Sequence, residues 1–458
     1  MLERILSLLE TKSFSPLREV LLEINPVDIA LMFEELSAEQ RIVLFRLLPK
    51  EEAAETFAYL ESDMQETLIK SFSDKELKAV LDELYIDDAV DIIEEMPAGV
   101  VKRMLRGVDA DTRKAINELL KYPKDSAGSI MTPEFVDLKR NMTVEQAFSH
   151  IKKTGIDKET VYTCYVTDSN RKLKGIVTVK DLLFAESTAT LKDIMETNVI
   201  YAATVDDKED VAILFDKYDL SALPVVDNEH RLVGIVTVDD AIDVIQEENT
   251  EDIEKMAAII STDKPYLKTG IFETVKNRIP WLLILMLSAT FTGAIISGFE
   301  AKLQALVVLT AFIPMLMGTG GNSGSQSSVT IIRGLSLGEI EIADILKVVW
   351  KELRVGFLCG IGLGIINYVK ILLVDYLLIG TFEGYSFQET ALIALVVSLT
   401  IALTVLVAKL VGCVLPIFAE RMHLDPAVMA SPFITTIVDA ISLLIYFGVT
   451  TLFLTPLM

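Results

Sequence analysis

SPFITTIVDAISLLIYFGV, residues 431–449, is apolar over the length of a membrane-spanning helix and holds one charge, Asp439. About 20 mainly apolar residues cross a hydrocarbon core roughly 30 Å thick, because a helix rises about 1.5 Å per residue. Four earlier stretches meet the same requirement, so five spans are expected at about 280–299, 304–332, 346–378, 388–415 and 428–455. The third opens on Lys347, Lys351, Glu352 and Arg354, which puts its first turns at the interface. An ionised carboxylate at the depth of Asp439 is costly unless it faces protein, water or a cation. A cation pathway is the expectation; the plain alternative is a protonated Asp or one bonded to a neighbouring helix.

The chain has 458 residues, 51% hydrophobic and 24% charged, with a net charge of −24 and a mean hydropathy of +0.43. Those averages hide a division. Residues 1–279 carry 55 acids and 34 bases, whereas residues 280–458 carry 11 and 8. An acidic soluble half therefore precedes an apolar half. The acidic excess excludes a nucleic-acid binder, which needs a basic face against phosphates. Cys164, Cys359 and Cys413 are too scattered for a disulfide framework or zinc ribbon, and His150, His230 and His423 for a transition-metal site. MLERILSLLE at the start has acids inside its apolar stretch and no cleavage site, so it is not read as a secretory signal. The soluble half is then expected in the cytoplasm and the spans in the cell inner or plasma membrane. Arg333, Lys347, Lys351, Arg354 and Arg421 fall on inside flanks, and five spans leave the C-terminus outside.

PMLMGTGGNSGSQSSVT (314–330) lies within the second expected span. Its small residues suit close helix packing. Its Asn, Ser and Gln oxygens suit a water-lined path, the one place where polar backbone is tolerated at that depth. Taken with Asp439, the pore reading is preferred. Pro314, Pro416 and Pro432 could free further carbonyl oxygens.

The soluble half contains two repeats. Leu36, Leu48, Leu60, Phe72, Leu84, Met96, Val108 and Leu120 stand 12 apart, each beside turn formers such as LSAEQ, LPKEE, FSDKE and VDADT. One unit holds a short helix and a turn, too little to bury its own apolar face, so stacking into a superhelical array follows. LKGIVTVKDLL (173–183) and LVGIVTVDDAI (232–242) then match at a spacing of 59, as do Asp168 and Asp227. Each reads as strand, Asp-containing hairpin, strand, and a helix opened by Asp. This is the pattern of a tandem pair of CBS domains.

Acids cluster at Asp87 and Asp91, at Asp207, Glu209 and Asp210 with Asp219 further on, and between Asp239 and Glu254. On one continuous helix, residues 240, 243, 247, 251 and 254 would form a carboxylate stripe; Asn249 or Thr250 could instead cap a new helix. Such clusters repel unless solvent, bases or divalent cations offset them.

VTVDDAIDVIQEENTEDIEKM, PMLMGTGGNSGSQS and DPAVMASPFITTIVDA together resemble the MgtE-type magnesium channels, and KDSAGSIMTPEFV resembles that family's segment before the CBS pair. The resemblance covers almost the whole chain. It implies a multidomain membrane protein: an all-α superhelical N-domain (1–128), an α/β tandem CBS pair (129–247), a plug or connecting helix (248–279) and a five-helix α-helical transmembrane domain (280–458). It implies a homodimer with its pore on the two-fold axis. Asp439 matches the pore carboxylate, Thr435 and Ser431 pore-lining positions before it, and Gly321 and Asn322 the second-span constriction, where Ser325 stands at a further pore position that is Asn in some relatives. Asp87, Asp91, Asp207, Glu209, Asp219, Asp240, Asp243, Glu248, Glu251, Asp252 and Asp425 match regulatory metal ligands.

The function so implied is Mg2+ uptake, closed by cytosolic Mg2+ bound to those acids, with no ATPase motif and no enzymatic activity. Mn2+ or Ca2+ could occupy the same oxygen sites, and ATP is a CBS ligand in some relatives. Three alternatives use other features. A CBS-regulated channel for anions conflicts with the negative charge of Asp439, whereas one for other divalent cations does not. An intramembrane serine protease could use the GNSG motif (321–324), with His423 the nearest histidine. A cation sensor without conduction would not need Asp439.

Overall fold

A residue that caps a helix N-terminus recurs every 12 positions from Asn25 to Asp109. After α1 (Leu2–Glu10) and α2 (Phe14–Leu21), the caps Asn25, Ser37, Pro49 and Glu61 open α3 (Pro26–Phe33), α4 (Ala38–Phe45), α5 (Lys50–Ala58) and α6 (Ser62–Ser71). Ser73, Tyr85, Pro97 and Asp109 open α7 (Asp74–Leu81), α8 (Ile86–Glu95), α9 (Ala98–Gly107) and α10 (Ala110–Leu119). Ser37 with Gln40 and Ser73 with Glu76 form reciprocal capping boxes, which satisfy backbone donors the helix leaves unpaired. The turn formers of the repeat are therefore helix caps, and the period starts one unit earlier than the sequence reading placed it. Odd-numbered helices from α3 to α9 pack on the next odd helix, and even ones from α4 to α10 on the next even. Leu36, Leu60, Phe72, Met96 and Val108 are buried in the shared core.

This computed structural model describes residues 1–262, 266–429 and 431–454, without the side chains of Asp157 and Ser431. It divides into two compact units, Met1–Ile245 and Gln246–Met458.

Within the first unit, two small mixed sheets follow the helical array. β1 (Asp137–Lys139) runs parallel to β2 (Thr163–Thr167), which pairs antiparallel with β3 (Leu173–Thr178). β4 (Ala202–Ala203), β5 (Ala222–Val226) and β6 (Leu232–Thr237) repeat that order. Asp168 turns the first hairpin by accepting the Asn170 and Lys172 amides, at 2.8 and 3.1 Å. Asp227 does the same with Glu229 and Arg231, at 2.9 and 2.8 Å. Helices α11 (Val144–Thr154), α12 (Val179–Phe184), α13 (Leu191–Ile194), α14 (Lys208–Tyr218) and α15 (Val238–Met256) complete the pair. The helices after β3 and β6 are not opened by Asp. Thr178 and Thr237 precede them, and Asp181 and Asp240 three residues on accept the threonine hydroxyls at 2.5 and 2.6 Å.

α15 is one continuous helix through residue 256, so neither Asn249 nor Thr250 starts a new one; Thr250 donates back to the Gln246 carbonyl at 2.8 Å. The stretch 248–279 is correspondingly not a single helix. α15 ends at Met256, Ala258 takes a left-handed φ of 57°, and α16 (Ile271–Gly298) begins at 271.

In the second unit the expected span 304–332 is interrupted. α17 (Glu300–Ala305) and a 3-10 turn (Val307–Phe312) precede α18 (Ile313–Ser336), and Pro314, which lacks an amide donor, stands in the first turn of α18, where none is needed. α19 (Ile345–Lys370) continues as a π-helical segment to Ile379, followed by α20 (Phe387–Arg421) and α21 (Ser431–Leu454). Among the described residues, four stretches are long and apolar enough to cross a membrane: 271–298, 342–379, 387–421 and 426–454. α18, with 24 residues, is long enough but too polar to count with them.

Glycines set the closest approaches. Gly356, Gly360 and Gly364 line one face of α19, where an added Cβ would lie 3.2, 2.6 and 3.1 Å from atoms of Leu406, Ala402 and Ser398 on α20. Small residues at four-residue spacing let membrane helices meet backbone to backbone.

Candidate functional site

In the first unit, α8 is held at its N-terminus by a residue remote in sequence. Tyr85 offers no side-chain cap, and Glu134 Oε2 accepts the Ile86 amide instead, at 2.8 Å. The Glu134 carbonyl in turn accepts the Glu159 amide at 2.9 Å. This anchoring brings Asp87, Asp88 and Asp91 of α8 into the field of Glu134, Glu159, Asp239 and Asp240.

Burial and neighbouring like charges dominate around these acids. Burial and then the charges of Asp88 and Glu134 push Asp87 up to about 7. Burial followed by Asp240 and Asp239 raises Asp88 to about 6. Asp240 rises to about 7, chiefly by burial, although its bond from Thr237 opposes the shift. Glu159 reaches about 8 through burial, Asp87 and Asp239. Asp91 moves upward by burial and by Asp87 and Asp240, but its side chain is exposed, and water screens that shift. Asp87 Oδ1 and Glu159 Oε2 are buried without a hydrogen-bond partner. Such a set of hard, under-coordinated oxygens fits a divalent cation of the Mg2+ or Ca2+ type. The described residues do not yet converge on it: no three or more His, Cys, Asp or Glu are placed as a metal cage among them.

Sequence reasoning selected Asp87, Asp91 and Asp240 but missed Asp88, Glu134 and Glu159. Glu134 lay inside the quoted KDSAGSIMTPEFV, whereas Glu159 sits in a loop without any pattern. Asp207 caps α14 by accepting the Glu209 amide at 2.9 Å, and Asp219 occupies the left-handed position at the other end. Eleven helical residues separate those ends by roughly 16 Å, so Asp219 does not join Asp207 and Glu209 within one chain. Asp243 lies one turn after Asp240 on α15.

The second unit holds two further groups. Lys255 lies between Glu251 and Asp425, at 2.7 and 2.6 Å, while Ser336 donates to Asp252 at 3.3 Å. Burial and then the nearby charge of Asp425 raise Asp252. Burial depresses Lys255, but its bonds to Asp425 and Glu251 outweigh that and raise it. Glu251, Asp252 and Asp425 are thus gathered, with a lysine ammonium between them. Glu248 lies one turn earlier on α15.

Deeper in the helices, α18 packs on α21 around Gly321. A Cβ there would lie 2.5 Å from Thr435 Cγ2 and 3.7 Å from Asp439 Oδ1. Thr435 and Asp439 are half-buried, and Thr435 Oγ1 donates to the Pro432 carbonyl at 3.0 Å. Gly320, Gly321, Ser323, Gly324, Ser327 and Ser328 form the buried face of α18, whereas Gly318, Asn322 and Gln326 are exposed and Ser325 is intermediate. The small residues of 314–330 therefore pack on one face of α18, and the amide side chains of Asn322 and Gln326 lie on the other. Ser431 lies outside the described side chains. Ser323 is buried in α18, and no hydrogen bond joins it to His423 among the described residues, so the protease alternative finds no support in geometry.

Family models match along this same order: the intracellular N domain of MgtE over residues 24–125, CBS domains over 127–187 and 191–247, and the MgtE divalent cation transporter domain over 313–449. The magnesium transporter MgtE of Thermus thermophilus is 38% identical over 444 residues, covering 96% of this chain and 95% of that protein. The chain belongs to the MgtE family. The Bacillus subtilis magnesium transporter MgtE is 32% identical, covering 98% of this chain and 97% of its own. A crystal structure of the cytosolic domain of the Mg2+ channel MgtE in complex with ATP matches at 38% identity and a TM-score of 0.51. It covers 53% of this chain and 100% of that one. MgtE members are transporters and not enzymes, and this chain is a multi-pass membrane protein with an intracellular N-domain.

Proposed function

We propose that the chain is a Mg2+ channel that mediates uptake and that cytosolic Mg2+ closes it. The observation that carries this reading is Asp439: a half-buried carboxylate among membrane helices, beside Thr435 and Gly321, with no hydrogen bond or ion pair among the described residues. A hydrated cation is the partner that such a group lacks. Mg2+ holds its water tightly, so carboxylate and hydroxyl oxygens suit it through its hydration shell. Two chains would each supply one Asp439, with Gly321 beside it and Asn322 and Ser325 of α18 on the same path by family resemblance, which makes the working unit a homodimer. Ser431 belongs to the same path by family resemblance.

Closure follows from the acids. Bound Mg2+ would neutralise Asp87, Asp91 and Asp240, drawing the N-domain onto the CBS pair; Asp207, Glu209 and Asp219 would serve sites completed by other parts of the dimer. Asp243, Glu248, Glu251, Asp252 and Asp425 would do likewise along α15 and the loop before α21. When Mg2+ falls, repulsion among the freed carboxylates releases that compact state. Inward movement is driven by a membrane potential worth about 2.3 kcal/mol per charge per 100 mV. Mn2+ and Ca2+ could occupy the same oxygens, and the CBS pair would be the site for ATP as a modulator. The membrane is the cell inner or plasma membrane, with the C-terminus outside.

The test is Mg2+ flux into liposomes, with Mg2+ varied on the soluble-domain side. Flux that Asp439→Ala abolishes and that millimolar Mg2+ on that side stops is expected. Equal flux through Asp439→Ala would refute the reading.

A further inference from the structure

Lys409 is the most deeply buried lysine of the membrane helices, only 6% exposed in the middle of α20. Its Nζ donates to Ser327 Oγ at 3.3 Å, and the Ser327 hydroxyl, 2% exposed, donates to Glu352 Oε2 at 2.5 Å. The two charges do not touch among the described residues; one serine hydroxyl accepts from the ammonium and donates to the carboxylate. We propose that Glu352, Ser327 and Lys409 form a buried charge relay that fixes the rotation of α18, making Lys409 and Glu352 positioning residues for the ion path. This rests on the channel reading of Asp439 and α18.

Backbone contacts deliver the three side chains to one place. A Cβ on Gly412 would collide with the Gly324 carbonyl oxygen, so α18 and α20 cross there backbone to backbone. Lys409 lies one turn before Gly412, and Ser327 one turn after Gly324. Glu352 is one turn before Gly356 and so continues the stripe by which α19 meets α20. An ionisable residue buried among membrane helices is expensive and is retained where it has a partner and a task. Here the partner lies on α18. Asn322 precedes Ser327 by five residues and therefore points roughly 140° away around the helix. With Ser327 drawn inward by both charges, Asn322 is turned outward and Gly321 is held against Thr435 and Asp439.

The test compares Mg2+ and Ca2+ flux in liposomes for wild type, Lys409→Met, Glu352→Gln, Ser327→Ala, Lys409→Arg, the Lys409→Met/Glu352→Gln pair and Asp439→Ala. Lys409→Met and Glu352→Gln are each expected to cut Mg2+ flux roughly tenfold and to change the Mg2+ to Ca2+ ratio. Ser327→Ala, which removes one oxygen, should move that ratio in the same direction. Lys409→Arg should keep the wild-type ratio, and the pair should lose less than the product of its single losses. A wild-type ratio in all three neutral variants, whatever happens to their melting temperature, overturns the proposal, as does a pair whose losses simply multiply. If Asp439→Ala is silent and Lys409→Met behaves as wild type, only the relay is wrong. If Asp439→Ala conducts normally, the channel reading fails and the relay's role with it.

Discussion

Asp87 and Glu159 each keep a buried carboxyl oxygen without a hydrogen-bond donor, and that gives the junction a pH signature. The folded chain holds protons on Asp87 and Asp240 up to about 7 and on Glu159 up to about 8, whereas unfolded carboxylates release theirs near about 4. Between those limits the folded state binds more protons, so the stability of the junction falls as pH rises from about 4 towards about 8. A cation bound only to the folded form restores it. Amide protection over 86–95 in the full chain should therefore be greater near about pH 5.5 than near about 7.5 without divalent ions. Millimolar Mg2+ should raise it mainly at the higher pH; an equal gain at both would remove this cluster as a Mg2+ site. At this scale, the candidate residues Asp439, Asp87 and Asp240 stand out in sequence because they are carboxylates in an apolar span or on one helical face. Glu134, Glu159 and Lys409 do not. Their meaning comes from partners tens of residues away, such as Ile86 for Glu134 and Ser327 for Lys409.

Helices carry a second layer of constraint. Gly360→Ala would put its Cβ 2.6 Å from the Ala402 carbonyl oxygen, whereas Gly362, two residues on, has open space within 4 Å. The first substitution should destabilise the α19–α20 pair by about 1–3 kcal/mol, as overpacking does. Gly362→Ala should stay within about 0.5 kcal/mol of neutral. Thermal unfolding in detergent separates the two, and equal melting temperatures would mean that α19 and α20 can part to accept a methyl group. The twelve-residue period was readable in sequence because one cap and one buried residue recur together, as Ser73 and Phe72 do. The break before Pro314 and the unbroken course of α15 past Thr250 were harder to read. A proline inside an apolar run and a threonine inside an acidic run each permit two backbone courses, and packing chooses between them.

For the whole molecule, the sequence separates an acidic half, 1–279, from an apolar half, 280–458, whereas the two compact units are Met1–Ile245 and Gln246–Met458, so the acids from Glu247 to Glu273 fall in the same unit as the apolar helices. The polarity of α18 has a further consequence, for how the chain is made. A nascent helix enters the bilayer by its own apolarity, and α18 is long enough but too polar to qualify with its neighbours. The helices that cover its glycines and serines, α20 and α21, are synthesised after it. During translation α18 is therefore expected to wait at the translocon or the interface until α20 emerges. Chains ended near residue 380 should show the 337–344 loop on the wrong side of the membrane by tag accessibility, and extension through α21 should correct it. Correct placement in the truncated chain would mean that α18 inserts unaided. The polarity on which the proposed ion path rests thus makes the topology of α18 depend on residues not yet translated.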